Sequence, residues 1–276
     1  MKHVTLPGGE KVPALGQGTW MMGETPGRRA SELEALRRGI NLGMRLIDTA
    51  EMYGDGASEE LVRDAMGSRR DDLFLVTKAY PQNASRVRLP EACARSLKRL
   101  GTDRIDLYLL HWRGGVPLAE TVEAMQALQA AGKIRHWGVS NLDRDDMEEL
   151  VAAGGTGCAT DQILFNLTRR GPEFDLLPWL ERKGMTAMAY SPVEQGRLVR
   201  HKGLAAVAER HSATPAQVAL AWLLRREGII AIPKAGSVAH VEENFQALEL
   251  VLDADDVRAL DAAFPPPQRA TALEML

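Results

Sequence analysis

The stretch LFLVTKAYPQNASRVRLPEACARSLKRLGTDRIDLYLLH, residues 73 to 111, contains the unit that decides the fold. Its two apolar runs, LFLVTK (73 to 78) and IDLYLLH (105 to 111), are typical of buried strands. Between them the amphipathic pattern PEACARSLKRLG (90 to 101) predicts a helix that ends at a glycine. Neighbouring strands that are joined through a crossover helix run parallel, so the stretch predicts one β–α–β unit.

The same alternation extends along the whole chain. Six more runs read as buried strands and bring the total to eight: residues 14 to 18, RLIDTA (45 to 50), HWGVSN (136 to 141), TDQILFN (160 to 166), TAMAYSP (186 to 192) and IIAIPK (229 to 234). Further helical patterns are SELEALRRGINLG (31 to 43), LAETVEAMQALQAAG (118 to 132) and RDDMEELVAAG (144 to 154). Eight such units close into a barrel, so we predict an α/β fold, a (β/α)8 TIM barrel that forms a single domain over residues 1 to 276.

Both ends of the chain lie outside this repeat. The opening HVTLPGGEKVP (3 to 13) predicts a β-hairpin with Gly8 and Gly9 in its turn, and we expect it to cap the floor of the barrel. The tail from Pro265 to Leu276 begins with three consecutive prolines, which cannot continue a helix. We therefore expect the tail to cross one face of the barrel as a loop.

Composition excludes several classes of function. The net charge is −3 and the pI is about 6.1, which leaves no extended positive surface for nucleic acid. Only two cysteines occur, Cys93 and Cys158, and their spacing fits neither a disulfide framework nor a metal site. The start of the chain lacks the apolar stretch of a signal peptide, and no segment approaches the length of a membrane span. We expect a cytoplasmic protein without a membrane partner.

Polar residues close consecutive strand runs. Asp48 closes the second run with Tyr53 just beyond it, Lys78 closes the third and His111 the fourth, and the carboxyl ends of barrel strands meet at one mouth. A lysine ammonium beside a phenol lowers the pKa of the phenol, and a carboxylate keeps that lysine charged and oriented. His111 would donate a hydrogen bond to a substrate oxygen. The pattern predicts proton transfer from Tyr53 to a carbonyl oxygen, with hydride from a cofactor.

Ordered motifs over nearly the whole chain resemble the aldo-keto reductases, and among them the bacterial methylglyoxal reductase-like members. The motifs are LGQGTW (15 to 20), IDTAEMYGDGASEE (47 to 60), VTK (76 to 78), LHW (110 to 112), GKIRHWGVSN (132 to 141), YSP (190 to 192) and IPKAGSVAHVEENF (232 to 245). The resemblance implies NADPH-dependent reduction of small aldehydes and ketones. It also implies that Asp48, Tyr53, Lys78 and His111 form a catalytic tetrad, with Tyr53 as general acid in reduction and general base in the reverse oxidation.

The resemblance further implies which residues bind the cofactor. Ser140, Asn141 and Gln162 would hold the nicotinamide carboxamide, and Tyr190 would stack on the ring. Additional contacts would come from the pyrophosphate loop, from the adenosine end and from the neighbourhood of Asp48: Gly18, Thr19, Ser191, Pro192, Gly196, Leu198, Ile232, Lys234, Ser237, His240, Glu243 and Asn244. The substrate pocket would be lined by Trp20, Tyr53, His111 and Trp112, together with Met21 and residues near the tail.

One departure from the family pattern concerns the choice of cofactor. His240 stands where many members carry an arginine that grips the 2′-phosphate, and Ala235 stands where serine or threonine is common. Only Lys234 then clearly favours NADPH by its charge. We expect NADPH, with NADH possible because of His240.

Other interpretations stay open from the sequence. Lys78 could form a Schiff base, as in an aldolase, or the chain could be a cofactor-binding regulatory subunit with little turnover. Ser140 and Asn141 could cap the helix that follows them. We expect a monomer, and the physiological substrate is not determined by the sequence.

Overall fold

The computed structural model describes residues Met1–Leu276 and contains ten strands and ten α-helices. The strands are β1 (His3–Thr5), β2 (Lys11–Pro13), β3 (Gln17–Gly18), β4 (Leu46–Asp48), β5 (Phe74–Ala79), β6 (Ile105–Leu110), β7 (Ile134–Ser140), β8 (Thr160–Leu164), β9 (Thr186–Tyr190) and β10 (Ile229–Ala231). The helices are α1 (Arg29–Leu42), α2 (Ala57–Met66), α3 (Arg88–Leu100), α4 (Leu118–Ala130), α5 (Arg144–Ala152), α6 (Leu176–Arg182), α7 (Lys202–Arg210), α8 (Pro215–Leu224), α9 (Val238–Gln246) and α10 (Ala254–Ala263). Strands β3 to β10 are parallel and follow one another in chain order.

The first and eighth strands of this sheet meet and close it into the predicted barrel. The Gly16 amide donates to the Ala231 carbonyl at 2.9 Å, and the Gly18 amide donates to the Pro233 carbonyl at 3.0 Å. A Cβ atom on Gly18 would lie 2.7 Å from the Ile232 carbonyl oxygen, closer than side chains pack. Glycine at this position therefore lets the two strands approach. The prediction of a (β/α)8 barrel is confirmed.

All eight predicted strand runs are strands in the structure, but most end earlier than the apolar pattern does. The run predicted over 160 to 166 forms a strand only as far as Leu164, and the run over 229 to 234 only as far as Ala231. Phe165 and Ile232 lie beyond those ends and are nevertheless buried. Apolar patterning reports burial, which continues into the loops, whereas a strand requires a hydrogen-bonded neighbour.

Local signals explain where the helices begin and end. Gly101 ends α3 in the left-handed conformation (φ 65°), as the glycine after the helical pattern predicts. The N-cap of α5 is Asp143, whose carboxylate accepts from the Asp146 amide, so neither Ser140 nor Asn141 caps that helix. Thr214 and Gln217 form a capping box at the start of α8.

The interior contains large side chains that pack between the sheet and the helices. Trp137, Trp222 and Tyr108 are fully buried, and a single cluster of 69 buried apolar residues joins them. Both cysteines are buried and free, and burial raises the pKa of each thiol to about 12. Neither thiol is therefore a reactive thiolate.

The two ends of the chain occupy opposite faces of the barrel. The β1–β2 hairpin turns through Gly8 (φ 94°) and Gly9 (φ 92°), and its Glu10 accepts hydrogen bonds of 2.8 Å from Arg135 near the beginning of β7. The hairpin thus caps the floor, as predicted. The tail has no regular secondary structure, and its last residue, Leu276, reaches the mouth. No helix combines the length and apolar character that crossing a membrane requires.

Candidate active site at the mouth of the barrel

Lys78 is the centre of a buried polar cluster at the mouth. Its ammonium donates to both carboxylate oxygens of Asp48 at 2.9 and 2.8 Å, to the Thr49 carbonyl at 2.9 Å and to the Tyr53 hydroxyl at 3.3 Å. The side chain of Lys78 is fully buried. Although β5 ends one residue later than predicted, at Ala79, the side chain still points to the mouth. The structure therefore brings Asp48, Tyr53 and Lys78 together.

A sharp turn after β4 places Tyr53 over the lysine. Gly54 (φ 56°), Asp55 (φ 51°) and Gly56 (φ 96°) all adopt left-handed backbone conformations between Tyr53 and α2. Glycine tolerates this conformation without strain, and aspartate tolerates it better than most residues. The turn reverses the chain directly after Tyr53 and holds the phenol at the end of the strand.

The charge of Lys78 and burial shift the pKa of the Tyr53 phenol in opposite directions. Burial raises the pKa of the Tyr53 phenol above its ordinary value, and the ammonium of Lys78 offsets only part of that rise. The prediction that the lysine leaves this phenol with a lowered pKa is therefore wrong, because desolvation outweighs the nearby charge. Burial by itself lowers the pKa of Lys78, but Asp48 and Tyr53 raise it above its ordinary value. The lysine is therefore charged.

His111 follows β6 and lies on the other side of the phenol. Its ring makes an edge contact with Tyr53, with 5.9 Å between ring centroids, and lies 4.8 Å from the Trp112 ring. Burial, with a further contribution from the charge of Lys78, lowers the pKa of His111 to about 2. The imidazole is therefore neutral near pH 7.

Asn141 links the histidine to the aromatic ring on the opposite wall. It adopts a left-handed conformation (φ 59°), its amide donates to the His111 carbonyl at 3.1 Å, and its Oδ1 accepts from the Tyr190 hydroxyl at 2.9 Å. Burial raises the pKa of Tyr190 to about 12, so the hydroxyl keeps its proton and remains a donor. The half-buried Tyr190 ring is thereby fixed at the end of β9.

Gln162 connects this wall to the buried cluster. Its side-chain amide donates to Asp48 Oδ1 at 2.7 Å, and its backbone carbonyl accepts from Ser140 Oγ at 2.8 Å. Ser140 and Gln162 are register partners in the β7–β8 pairing, and the Asn141 amide donates to Ser140 Oγ at 3.0 Å. The three residues predicted to hold a carboxamide thus lie in one hydrogen-bonded group beside Asp48.

One cavity of about 990 Å³ contains nearly all of the predicted binding residues. Those that line it are Gly18, Thr19, Trp20, Asp48, Tyr53, His111, Trp112, Ser140, Asn141, Gln162, Tyr190, Ser191, Pro192, Gly196, Ile232, Lys234, His240, Glu243 and Asn244. Two of the predicted cofactor contacts, Leu198 and Ser237, do not line it, and neither does the predicted catalytic residue Lys78, which is fully buried. The Leu198 side chain belongs to the apolar core, and the Ser237 hydroxyl caps α9 by accepting from the His240 amide.

Sequence reasoning missed several lining residues: Met52, Val193, Gln195, Val199, Pro215 and Ala216. The last two lie in the first turn of α8, which the pattern Thr214-Pro-Ala-Gln217 marks as a helix start. Met21 lines the cavity, whereas Met22 is buried beneath it. The tail contributes its last two residues.

The groups along the cavity fit a dinucleotide. Between Tyr190 and α7 the backbone is left-handed at Ser191 (φ 48°), Glu194 (φ 50°), Gln195 (φ 54°) and Gly196 (φ 84°). Runs of this kind form concave arrangements of N–H groups that bind anions. The exposed Lys234 lines the same cavity and pairs with no carboxylate, so its ammonium is available to a phosphate. No group of three or more His, Cys, Asp or Glu side chains is arranged to hold a metal ion.

Comparisons with known proteins find similarity over almost the whole chain. The model of the aldo/keto reductase family matches residues 14–264. Methylglyoxal reductase YeaE of Escherichia coli K12 is 49% identical over 281 residues, covering 100% of this chain and 99% of that protein. Methylglyoxal reductase DkgB of Escherichia coli O157:H7 is 33% identical, covering 91% and 92%. A crystal structure of an aldo-keto reductase from Klebsiella pneumoniae in complex with NADPH has a TM-score of 0.97 at 49% identity, covering 100% of this chain and 99% of that one.

Proposed function

Because the chain belongs to the aldo/keto reductase family and is therefore an oxidoreductase, we propose that it uses NADPH to reduce small aldehydes and ketones, with Tyr53 as proton donor. The observation that carries the proposal is the hydrogen-bonded group of Lys78, Asp48 and Tyr53 beside a cavity of about 990 Å³ whose lining extends from Tyr53 to Lys234. Methylglyoxal is the first substrate to test, since both bacterial relatives described above are methylglyoxal reductases.

Tyr53, Lys78, Asp48 and His111 are proposed to have separate roles in the reaction. NADPH supplies the hydride that attacks the carbonyl carbon. The Tyr53 hydroxyl then gives its proton to the carbonyl oxygen, which completes the alcohol, and the Lys78 ammonium stabilises the tyrosinate that is left. Asp48 keeps Lys78 charged and fixed by accepting two hydrogen bonds from it. In the direction of alcohol oxidation, tyrosinate takes the proton back.

The neutral His111 has a different role from that of the phenol. A neutral imidazole with a pKa of about 2 is not a proton donor of useful strength near pH 7, but its N–H group can hold the substrate oxygen. That hydrogen bond would orient the carbonyl toward Tyr53. Orientation of this kind lowers the barrier because the reacting groups are held in line before the reaction begins.

The preference for NADPH over NADH follows from the charge of Lys234, at the end of the cavity where the adenosine is proposed to bind. Lys234 has no carboxylate partner, so a 2′-phosphate would gain a charge-assisted contact there. His240 lines the same end of the cavity, and Glu243 accepts a 2.5 Å hydrogen bond from the Thr214 hydroxyl. Binding of NADPH to the Klebsiella relative supports the same choice.

Two alternatives are less well supported. A Schiff-base lysine must lose its proton to attack a carbonyl, whereas Asp48 and Tyr53 raise the pKa of Lys78 and its side chain is fully buried. A regulatory subunit needs no tetrad, so measurable turnover distinguishes it from a reductase.

The single domain, the monomeric state and the cytoplasmic location stay predictions. Limited proteolysis, light scattering and cell fractionation can test them in turn.

The test is oxidation of NADPH, and separately of NADH, in the presence of methylglyoxal. We expect Tyr53→Phe to lower kcat by about a hundredfold to ten-thousandfold while NADPH affinity changes little, because the ring stays and only the acid is lost. Tyr108→Phe is the matched control, since the hydroxyl of Tyr108 is buried, unpartnered and remote from the cavity. Full activity of Tyr53→Phe, or a clear preference for NADH, would contradict the proposal.

A further inference from the structure

The loop of residues 191 to 196, called the strained loop below, forms one wall of the cavity. Three of its residues other than glycine have positive φ: Ser191, Glu194 and Gln195. Each such residue costs folding free energy and keeps its conformation only where the surroundings hold it. The contacts that hold this loop therefore control the shape of the cavity.

A buried carboxylate anchors the strained loop. Glu194 accepts hydrogen bonds from the Asn166 amide at 2.7 Å and from the Arg169 guanidinium at 3.1 and 2.9 Å. Burial raises the pKa of Glu194, but the hydrogen bonds from Arg169 and Asn166 lower it below its ordinary value, so the group is charged. Asn166 also donates to the Ser191 carbonyl at 2.9 Å. Asn166 and Arg169, which lie in the connection between β8 and α6, thus hold the strained loop in place.

The anchor itself is rigid. Asn166 is fully buried, and its Oδ1 accepts from the Thr168 amide at 2.9 Å and from the Arg169 amide at 3.1 Å. Such a local turn fixes the backbone that carries Arg169. The same asparagine therefore contacts the strained loop and holds the backbone of Arg169.

Arg169 also binds the tail. Its remaining terminal nitrogen pairs with Glu274, while the other donors stay on Glu194. The two residues after Glu274, Met275 and Leu276, line the cavity. Arg169 is the one side chain that forms ion pairs with both the strained loop and the tail.

We infer that Arg169 is a positioning residue that couples the strained loop to the tail, so that a ligand which stabilises one wall of the cavity also stabilises the other. The inference rests on the proposed function, because the strained loop is the proposed binder of the NADPH pyrophosphate. Coupling of this kind is reciprocal: if the tail contact strengthens cofactor binding, the cofactor strengthens the tail contact by the same factor. Because Arg169 and Glu274 are partly exposed, we expect a coupling at or below the low end of the usual range, about two- to fivefold.

The experiment measures NADPH dissociation constants by fluorescence titration without substrate. Glu274 does not line the cavity, yet we expect Glu274→Gln to weaken NADPH binding about two- to fivefold. Arg169→Gln should weaken it at least as much, and adding Glu274→Gln to Arg169→Gln should change nothing further. An unchanged NADPH affinity in Glu274→Gln, or effects of the two changes that simply multiply, overturns the inference.

Arg197 offers a matched control. It pairs with Glu194 at 3.4 Å but with no residue of the tail. The effect of Arg197→Gln should therefore multiply with that of Glu274→Gln, and failure to multiply overturns the specific role of Arg169.

A second measurement reads the tail itself, by hydrogen exchange of the amides of residues 268 to 276. NADPH should slow that exchange in the unaltered protein and leave it unchanged in Arg169→Gln. Slowing of the same size in both proteins overturns the inference while leaving the reductase proposal intact. If the unaltered protein binds no NADPH, the proposed function fails and the inference fails with it.

Discussion

Asp161 is the clearest case in which a single side chain sets a property of the protein. It is fully buried in β8, no side chain donates to either carboxyl oxygen, and the Leu142 backbone amide offsets only part of the effect of burial on its pKa. Because side chains alternate along a strand and Gln162 faces the cavity, Asp161 faces the helix layer, where Asp143 and Asp146 add unfavourable charge. Burial, with this charge, raises the pKa of Asp161 well above its ordinary value. The folded protein therefore holds a proton on this carboxyl at pH values where the unfolded chain has already lost it.

The first prediction follows from that proton. Between the ordinary pKa of an aspartate and the raised pKa, the folded protein binds a proton that the unfolded chain has lost, so stability falls as pH rises through this window. Each pH unit of the window costs about 1.4 kcal/mol. Asp161→Asn removes this dependence, and its free energy of unfolding should exceed that of the unaltered protein by more at pH 8 than at pH 5.

Denaturant unfolding at both pH values measures the difference. Asp145→Asn, at an exposed position on α5, is the control and should give curves that follow those of the unaltered protein. If Asp161→Asn also follows the unaltered protein at both pH values, the carboxyl does not hold its proton.

At the scale of the element, α8 joins the stability of a helix start to the shape of the cavity. The Thr214 hydroxyl accepts from the Gln217 amide at 3.2 Å and donates to Glu243 at 2.5 Å. Glu243 belongs to α9 and lines the cavity, as do Pro215 and Ala216 in the first turn of α8. The Thr214 hydroxyl thus caps α8 and also orients Glu243, which is proposed to contact the adenosine of the cofactor.

The second prediction separates these two roles. Thr214→Ala should destabilise the protein by about 1 kcal/mol through the lost cap and should also weaken NADPH binding, because Glu243 loses its donor. Asp253→Ala removes the capping box of α10, which contributes no residue to the cavity. It should cost similar stability without any change in NADPH affinity. Equal effects of both variants on affinity would mean that Thr214 acts only through general stability.

At the scale of the whole molecule, the two faces of the barrel have different tasks. The mouth holds the tetrad and the cavity, whereas the floor holds a network in which Arg135 binds Glu10 of the hairpin at 2.8 Å and Asp106 at 3.0 Å. Asp106 is buried and also pairs with Arg70 at 2.8 Å. In barrels of this kind catalysis belongs to the mouth and stability to the floor.

The third prediction tests this division. Arg135→Met removes one of the two partners of Glu10, the other being His136, and leaves Asp106 with one cation. We therefore expect a loss of about 1 kcal/mol, or a Tm lower by about 2–4 °C. Values of kcat and KM should stay unchanged because no floor residue reaches the cavity. Arg258→Met removes an exposed pair with Asp255 and should leave Tm unchanged. A fall in kcat for Arg135→Met as large as the one expected for Tyr53→Phe would contradict the division.

The sequence by itself determined the order of the strands, the closed barrel and the identity of the residues at the mouth. These depend on local signals: an apolar run buries itself wherever it lies, and a polar residue at its end, such as Asp48 or His111, must lie at the rim of the sheet. The hairpin turn at Gly8 and Gly9 and the glycine stop at Gly101 are equally local, because they follow from backbone conformations that glycine alone adopts easily.

Only the tertiary structure decided the direction of the Tyr53 pKa, the contacts of Arg169 with Glu274, and the places of Leu198 and Ser237 outside the cavity. Desolvation is a property of all the atoms packed around a group, so no pattern in the neighbouring sequence reports its size. Arg169 and Glu274 are 105 residues apart in the chain, and their meeting depends on where the tail crosses the mouth. Distance and burial are created by the packed chain, whereas periodicity is already present in the sequence.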